Sequence, residues 1–179
     1  MIDSWLLLIY TVPARPSRKR AAVWRDVKKA GAVYLRDGVC ALPERPQHLT
    51  AFEDIAAKIQ ALGGRATLVR SARLDGERTA AVFAESAAAR GVEYDDILRE
   101  AARFQVHLRR EREHRDFTFG ELQELESDVG KLQRWAAQVK DRDFVGLAKA
   151  GAVDEALAVC EADLKSFAEE TVVQEERAL

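Results

Sequence analysis

Two apolar runs near the N-terminus, and the basic segment that separates them, decide the fold of this chain. The first run is WLLLIYTV at residues 5–12, and the second is AVYLRDGVCALP at residues 32–43. Between them, RPSRKRAAVWRDVKKAG at residues 15–31 contains seven Lys or Arg. The uninterrupted first run predicts a strand covered on both faces. An Asp-Gly pair at 37–38 predicts a tight hairpin within the second run.

The basic segment has the pattern of an amphipathic helix over residues 18–30. Ser17 is placed to cap its start, and Gly31 fits the position just past its end. The apolar stripe includes Trp24, which we expect to lie in the core rather than to act as a base-stacking platform.

The order of predicted elements indicates the fold class. A capping box at 50–53 predicts the start of a second helix, Gly63 and Gly64 end it, and a strand follows at 66–73. The resulting β-α-β-β-α-β order predicts an α+β fold in which residues 1–74 form a ferredoxin-like head. Such a head has a four-stranded antiparallel sheet with two helices on one face.

Residues 75–179 predict a helical extension. We expect a helix at 77–90 ended by Gly91, a second at 94–115, a third opened by a capping box at 118–121, and a last one at 153–176. Apolar residues recur in them at spacings of three and four. This pattern predicts a bundle that packs on itself, on the sheet or on a second copy of the chain. Packing within one chain is favoured for each stripe taken alone.

Charge is divided unevenly along the 179 residues. Residues 1–73 carry 13 Lys or Arg and 6 Asp or Glu, a balance of +7, whereas residues 74–179 have a balance of −9. The two cysteines, Cys40 and Cys160, form no CxxC motif, which favours reduced, buried thiols. No apolar stretch approaches the roughly 20 residues of a membrane span. We therefore expect a cytoplasmic protein that uses its basic head to meet anions.

The candidate binding residues are the cations of the basic segment. An Arg side chain presents a planar fork of donors to phosphate or sulfate oxygens, and helix N-termini also attract anions. The segment could therefore bind a nucleic-acid backbone or a tetrahedral oxyanion such as chromate or sulfate, or it could be a solvated helix face. The residues concerned are Arg15, Arg18, Lys19, Arg20 and Arg25.

His107, Glu111 and His114 form a weaker candidate for a metal site. Their i, i+4, i+7 spacing places them near one face of a helix, and imidazole and carboxylate are ligands for divalent metals. Such a set also arises by chance, so we expect no metal, and we expect His48 to mark only a helix start.

No phosphate-binding loop, nucleophile elbow or HExxH motif is present. We predict a non-enzymatic protein without a cofactor.

Several short motifs resemble the N-terminal domain of the chromate-resistance regulator ChrB. They are GAVYLRDGV at 31–39, DFTFGEL at 116–122, LQRW at 132–135 and RDF at 142–144. The resemblance covers nearly the whole chain in the same order. It implies a cytoplasmic protein of a chromate-resistance system. The long members of that family are chromate-responsive regulators with a further C-terminal domain, for which we expect no counterpart in this sequence.

The resemblance extends to the ferredoxin-like domain of phenylacetate-degradation repressors, which is itself similar to a CRISPR-associated endonuclease. That nuclease has a metal-binding Asp at the end of its first strand, where this chain has YTVP at 10–13. This departure from the nuclease argues against cleavage and favours a binding role. We expect a regulator that binds DNA or an oxyanion and forms a homodimer. The alternative is a homodimeric or partner-binding assembly module without a ligand or DNA of its own.

Overall fold

The computed structural model describes residues 2 and 4–178, with side chains as far as Glu176. Its strands and helices confirm the α+β class. In chain order they are β1 (Trp5–Thr11), α1 (Ser17–Lys29), β2 (Val33–Arg36), β3 (Val39–Pro43), α2 (Pro46–Ala61), β4 (Arg65–Ala72), α3 (Gly76–His114), α4 (Phe119–Arg142) and α5 (Lys149–Ala178).

The chain divides into two compact units. Unit 1 comprises the residues up to Ala88 together with Arg142–Val145, and unit 2 comprises Ala89–Asp141 and the residues from Gly146 onward. The predicted domain boundary at residue 74 stays a prediction, because a division into compact units does not show which segments fold independently. None of the described helices has the length and apolar character needed to cross a bilayer.

Unit 1 is built around an antiparallel sheet with strand order β2-β3-β1-β4. The central strand β1 pairs with both β3 and β4, so that Leu8 lies between Cys40 and Leu68. Val23 and Val27 of α1 and Phe52 and Ile59 of α2 are buried in the same core as β1. The predicted β-α-β-β-α-β order of elements is therefore observed.

The expectation that β1 is covered on both faces holds at one end of the strand only. Trp5 is 1% exposed, and its ring makes edge-to-face contacts with Phe83 and Phe144, at centroid distances of 5.9 and 6.1 Å. Ile9, on the same face four residues later, is 42% exposed. The continuous apolar run therefore predicts more burial than the structure shows at the C-terminal end of the strand.

Glycines end both helices of unit 1 as predicted, whereas the expected caps at their starts were wrong. Gly31 has φ +78°, and the N–H of the next residue donates to the carbonyl of Val27 at 3.2 Å, which completes a Schellman motif. Ser17 makes no cap hydrogen bond and is itself helical. The helix α2 begins at Pro46, before the expected box, because proline is already set for the first helical position. Thr50 bonds backwards instead, to the carbonyl of Pro46 at 3.3 Å.

The helix break expected at Gly91 was also wrong, since α3 runs without interruption from Gly76 to His114. Gly91 does not take a positive φ. A glycine inside a helix costs only about 1 kcal/mol relative to alanine. Burial of side chains in the adjoining turn, such as the fully buried Tyr94, outweighs that cost.

Unit 2 is a helical bundle whose core comes from α3, α4 and α5 of one chain. The predicted stripes supply it, with Phe104 and Leu108 on α3, Leu125 and Val129 on α4, and Phe167 on α5 among the buried residues. The hydroxyl of Thr118 accepts a hydrogen bond from the N–H of Glu121 at 3.2 Å. The expected cap at the start of α4 is thus confirmed on the threonine side.

Two glycines approach the C-terminal end of β1 so closely that a side chain would not fit. A Cβ on Gly38 would lie 2.5 Å from the carbonyl oxygen of Tyr10. A Cβ on Gly64 would lie 2.3 Å from the carbonyl oxygen of Thr11 and 2.8 Å from Ile59 Cγ2. The β2–β3 turn and the α2–β4 turn therefore both close on the backbone of the central strand.

At the opposite end of β1, Glu44 joins three strands. Its carboxylate accepts hydrogen bonds from the hydroxyl of Ser4, from Arg70 Nε at 3.2 Å and from the N–H of Ser71 at 2.9 Å. Ser71 has φ +54°, a conformation that costs free energy outside glycine. The hydrogen bonds, chiefly the one from Ser4, lower the pKa of Glu44.

We predict that Gly64→Ala lowers the free energy of unfolding by about 1–3 kcal/mol, because the new methyl group overpacks against backbone that has little freedom to move. Gly76→Ala is the matched control in unit 1, since a Cβ there meets no atom within 4 Å. Urea denaturation followed by circular dichroism measures both variants. Equal stability of the two would contradict the close approach.

We predict that Glu44→Gln destabilises the protein at neutral pH and has less effect in acid. A folded-state pKa below the ordinary 4.5 gives stability that is fully present above that value and is lost as the pH falls through the lowered pKa. The difference in melting temperature between wild type and variant should therefore shrink below about pH 4.5. Glu53→Gln, on the exposed side of α2, serves as the control and should change stability little at any pH. A difference that grows in acid would refute the assignment.

Candidate functional site

The cations of α1 form two stripes, because Val23 and Val27 fix which side of the helix faces the core. At about 100° per residue, Arg18, Arg25 and Lys29 point away from the core. We call these three residues the outer stripe. The neighbouring side of the helix carries Arg20, Trp24 and Lys28, which follow each other at intervals of about one turn. We call these three residues the groove stripe. The predicted basic cluster therefore has two different surroundings.

The outer stripe is open to solvent. Arg18, Arg25 and Lys29 are all exposed, as is Arg15 just before the helix. Within residues 2 and 4–178, the ion pairs involve none of these four cations. The one acid of the helix, Asp26, pairs with Lys58 of α2 at 2.5 Å. Four positive charges are thus available to an external anion.

Lys19 differs from the other predicted binding residues. Its ammonium donates a hydrogen bond to the carbonyl of Leu62 at 2.8 Å and is partly buried. Leu62 is the C-cap of α2, where a cation satisfies a free carbonyl and favours the negative end of the helix dipole. Lys19 therefore holds α1 to the end of α2.

The groove stripe borders an open cavity of about 550 Å³ at the C-terminal end of β1. The hydroxyls of Tyr10 and Tyr34 lie 2.7 Å apart, and Lys28 Nζ lies 5.8 Å from the centre of the Tyr34 ring. Trp24 is 53% exposed, so the expectation that it belongs to the core was wrong. The cavity is lined by Tyr10, Thr11, Val12, Arg20, Trp24, Tyr34, Asp37 and Gly38.

The paired tyrosines keep their protons at neutral pH. Burial raises the pKa of both phenols, and in Tyr34 the hydrogen bond to Tyr10 raises it further. One hydroxyl donates to the other, which leaves a single phenolic proton for a ligand. With Arg20 beside them, the tyrosines could donate to an anion, whereas the carboxylate of Asp37 would oppose it.

The weaker candidate site is rearranged relative to the prediction. His107 Nε2 lies 3.4 Å from Glu111 Oε1, as the spacing on α3 predicts. His114 is exposed at the end of the helix and does not join them. The third member is Glu121 of α4, whose Oε1 lies 3.3 Å from the same imidazole nitrogen. The spacing of residues along α3 could not indicate a third member that α4 supplies.

A buried histidine and two buried cysteines also lie outside these sites. His48 lies in the first turn of α2, and its Nδ1 is 2.7 Å from the carbonyl of Pro43, so it does more than mark a helix start. Both cysteines are fully buried, as expected. Burial raises the pKa of the Cys40 thiol to about 12 and that of the Cys160 thiol to about 11.

The family model described as Protein ChrB, N-terminal, matches residues 20–178. The chain belongs to this family. The match begins within α1 and extends to the end of α5, so it includes most of both units but not β1.

One curated relative, Protein ChrB of Cupriavidus metallidurans, is 30% identical over 77 residues. This alignment covers 43% of the present chain and 24% of the relative, so it spans about a quarter of the relative's length. No solved structure matches the chain.

Proposed function

We propose that this chain is a non-enzymatic, cytoplasmic component of a chromate-resistance system that binds DNA through the outer stripe of α1. Membership of the ChrB N-terminal family supports the biological role. The observation that carries the binding role is the set of exposed cations, Arg15, Arg18, Arg25 and Lys29, whose charges the described acids leave unpaired. Homodimerisation stays a prediction.

The geometry of the stripe suits a phosphate backbone. Arg18 and Arg25 are seven residues apart, about 10 Å along the helix axis, so they can contact different phosphates of one strand. The excess of acidic residues after residue 74 confines this attraction to the head. Binding of this kind is electrostatic and does not require a base sequence.

We predict that Arg18→Ala with Arg25→Ala weakens binding to a double-stranded DNA probe at low salt. Each lost phosphate contact reduces the slope of log affinity against log salt by about 1, so the double variant should lose about 2. Fluorescence anisotropy over a salt series measures both quantities.

The control is Arg99→Ala with Arg103→Ala, which removes the same charge from α3. These arginines already pair with Asp96 and Glu100 within one turn. The control should bind DNA as wild type does. Absence of binding at low salt, or an equal loss in the control, would refute the DNA proposal.

A second candidate function is favoured by the cavity beside the groove stripe. Arg20 and the remaining phenolic proton of the tyrosine pair could hold a tetrahedral oxyanion such as chromate. This role uses different residues from the DNA role, so the two can be tested separately.

We predict that sulfate, a redox-inert analogue of chromate, raises the melting temperature of the wild-type protein by linkage. The increase should be absent in Arg20→Ala and larger in Asp37→Asn, which removes the opposing carboxylate. Arg18→Ala with Arg25→Ala should retain it. If millimolar sulfate or chromate leaves the wild-type melting curve unchanged, the cavity does not bind an oxyanion.

A further inference from the structure

We propose that His107, Glu111 and Glu121 form a binding site for a divalent transition-metal ion in unit 2. The three side chains come from two helices, α3 and α4, and each offers one ligand atom. All three atoms lie within 4.8 Å of one another. The site shares no residue with the outer stripe or the groove stripe.

The distances fit an ion better than they fit direct contact. A tetrahedral site with metal–ligand bonds of about 2.1 Å has ligand atoms about 3.4 Å apart. His107 Nε2 lies 3.4 Å from Glu111 Oε1 and 3.3 Å from Glu121 Oε1. Both separations are long for a charge-assisted hydrogen bond, which is about 2.7–2.9 Å.

One ligand atom also lacks a hydrogen-bond donor. Glu121 Oε1 is buried, and no described group donates a hydrogen bond to it, although the His107 imidazole lies 3.3 Å away. A buried carboxylate oxygen without a donor is costly. A cation between the three side chains would satisfy it without moving them far.

The two carboxylates of the cluster lie close enough to repel each other. Glu111 and Glu121 each offer an oxygen within 4.8 Å of the other. Arg112, which follows Glu111 in the sequence, pairs with Glu170 at 2.9 Å. A divalent ion would relieve the repulsion between the glutamates.

The ligand set indicates the class of ion. One imidazole with two carboxylates suits Zn²⁺, Co²⁺ or Mn²⁺, whereas Mg²⁺ and Ca²⁺ prefer oxygen ligands alone. The His107 side chain is 37% exposed and also lines a cavity of about 350 Å³ beside Phe104 and Trp135. An ion can therefore reach the site from solvent.

The test is binding of Zn²⁺, Co²⁺ and Mn²⁺, each added alone, to the purified chain by isothermal titration calorimetry. Wild type should bind at least one of them at a single site, and excess Mg²⁺ should not displace it. His107→Ala and Glu121→Gln should each weaken binding by about tenfold or more, since outer-shell changes alone cost that much. Bound Co²⁺ should show visible absorption that the variants lose.

His114→Ala is the matched control, because it removes an exposed histidine of the same helix that lies outside the cluster. It should bind as wild type does. Glu111→Gln serves as a further variant if circular dichroism shows that His107→Ala is misfolded. Failure of all three ions to bind at millimolar concentration, or binding that survives in both His107→Ala and Glu121→Gln, overturns the proposal. The cluster is then a histidine packed between two glutamates.

Discussion

The close contact of two turns with the C-terminal end of β1 is the constraint on which unit 1 depends. Gly38 closes on the carbonyl of Tyr10, and Gly64 closes on that of Thr11. Because neither turn has a side chain at that point, the β2–β3 hairpin and the end of α2 lie directly against the central strand. The paired tyrosines and the cavity beside α1 occupy this same end.

Several of these features could be predicted because they depend on local chemistry. The hairpin at 37–38 follows from the positive φ that its glycine takes, +71°, and Gly31 ends α1 for the same reason. The buried stripes of α3, α4 and α5 follow from helical periodicity. The local signals at Ser17, Thr50 and Gly91 failed because each contributes about 1 kcal/mol, which neighbouring packing exceeds.

The parts of the sites that the sequence did not indicate depend on contacts between distant segments. In the sequence Lys19 cannot be told from the neighbouring cations. Its different role depends on the carbonyl at the end of α2, which lies 2.8 Å from its ammonium. Glu121 had a sufficient local explanation as part of a capping box. Its position beside His107 arises only when α3 and α4 pack. Trp24 is apolar, yet its place on the helix leaves it half exposed.

The burial of the two thiols has a consequence for durability. Chromate is an oxidant that attacks exposed sulfur. Cys40 donates its S–H to the carbonyl of Leu8 and Cys160 to that of Ala101, and both sulfurs are fully covered. Thiols with raised pKa form little thiolate, the species that reacts. Both cysteines are therefore poor targets for an oxidant such as chromate.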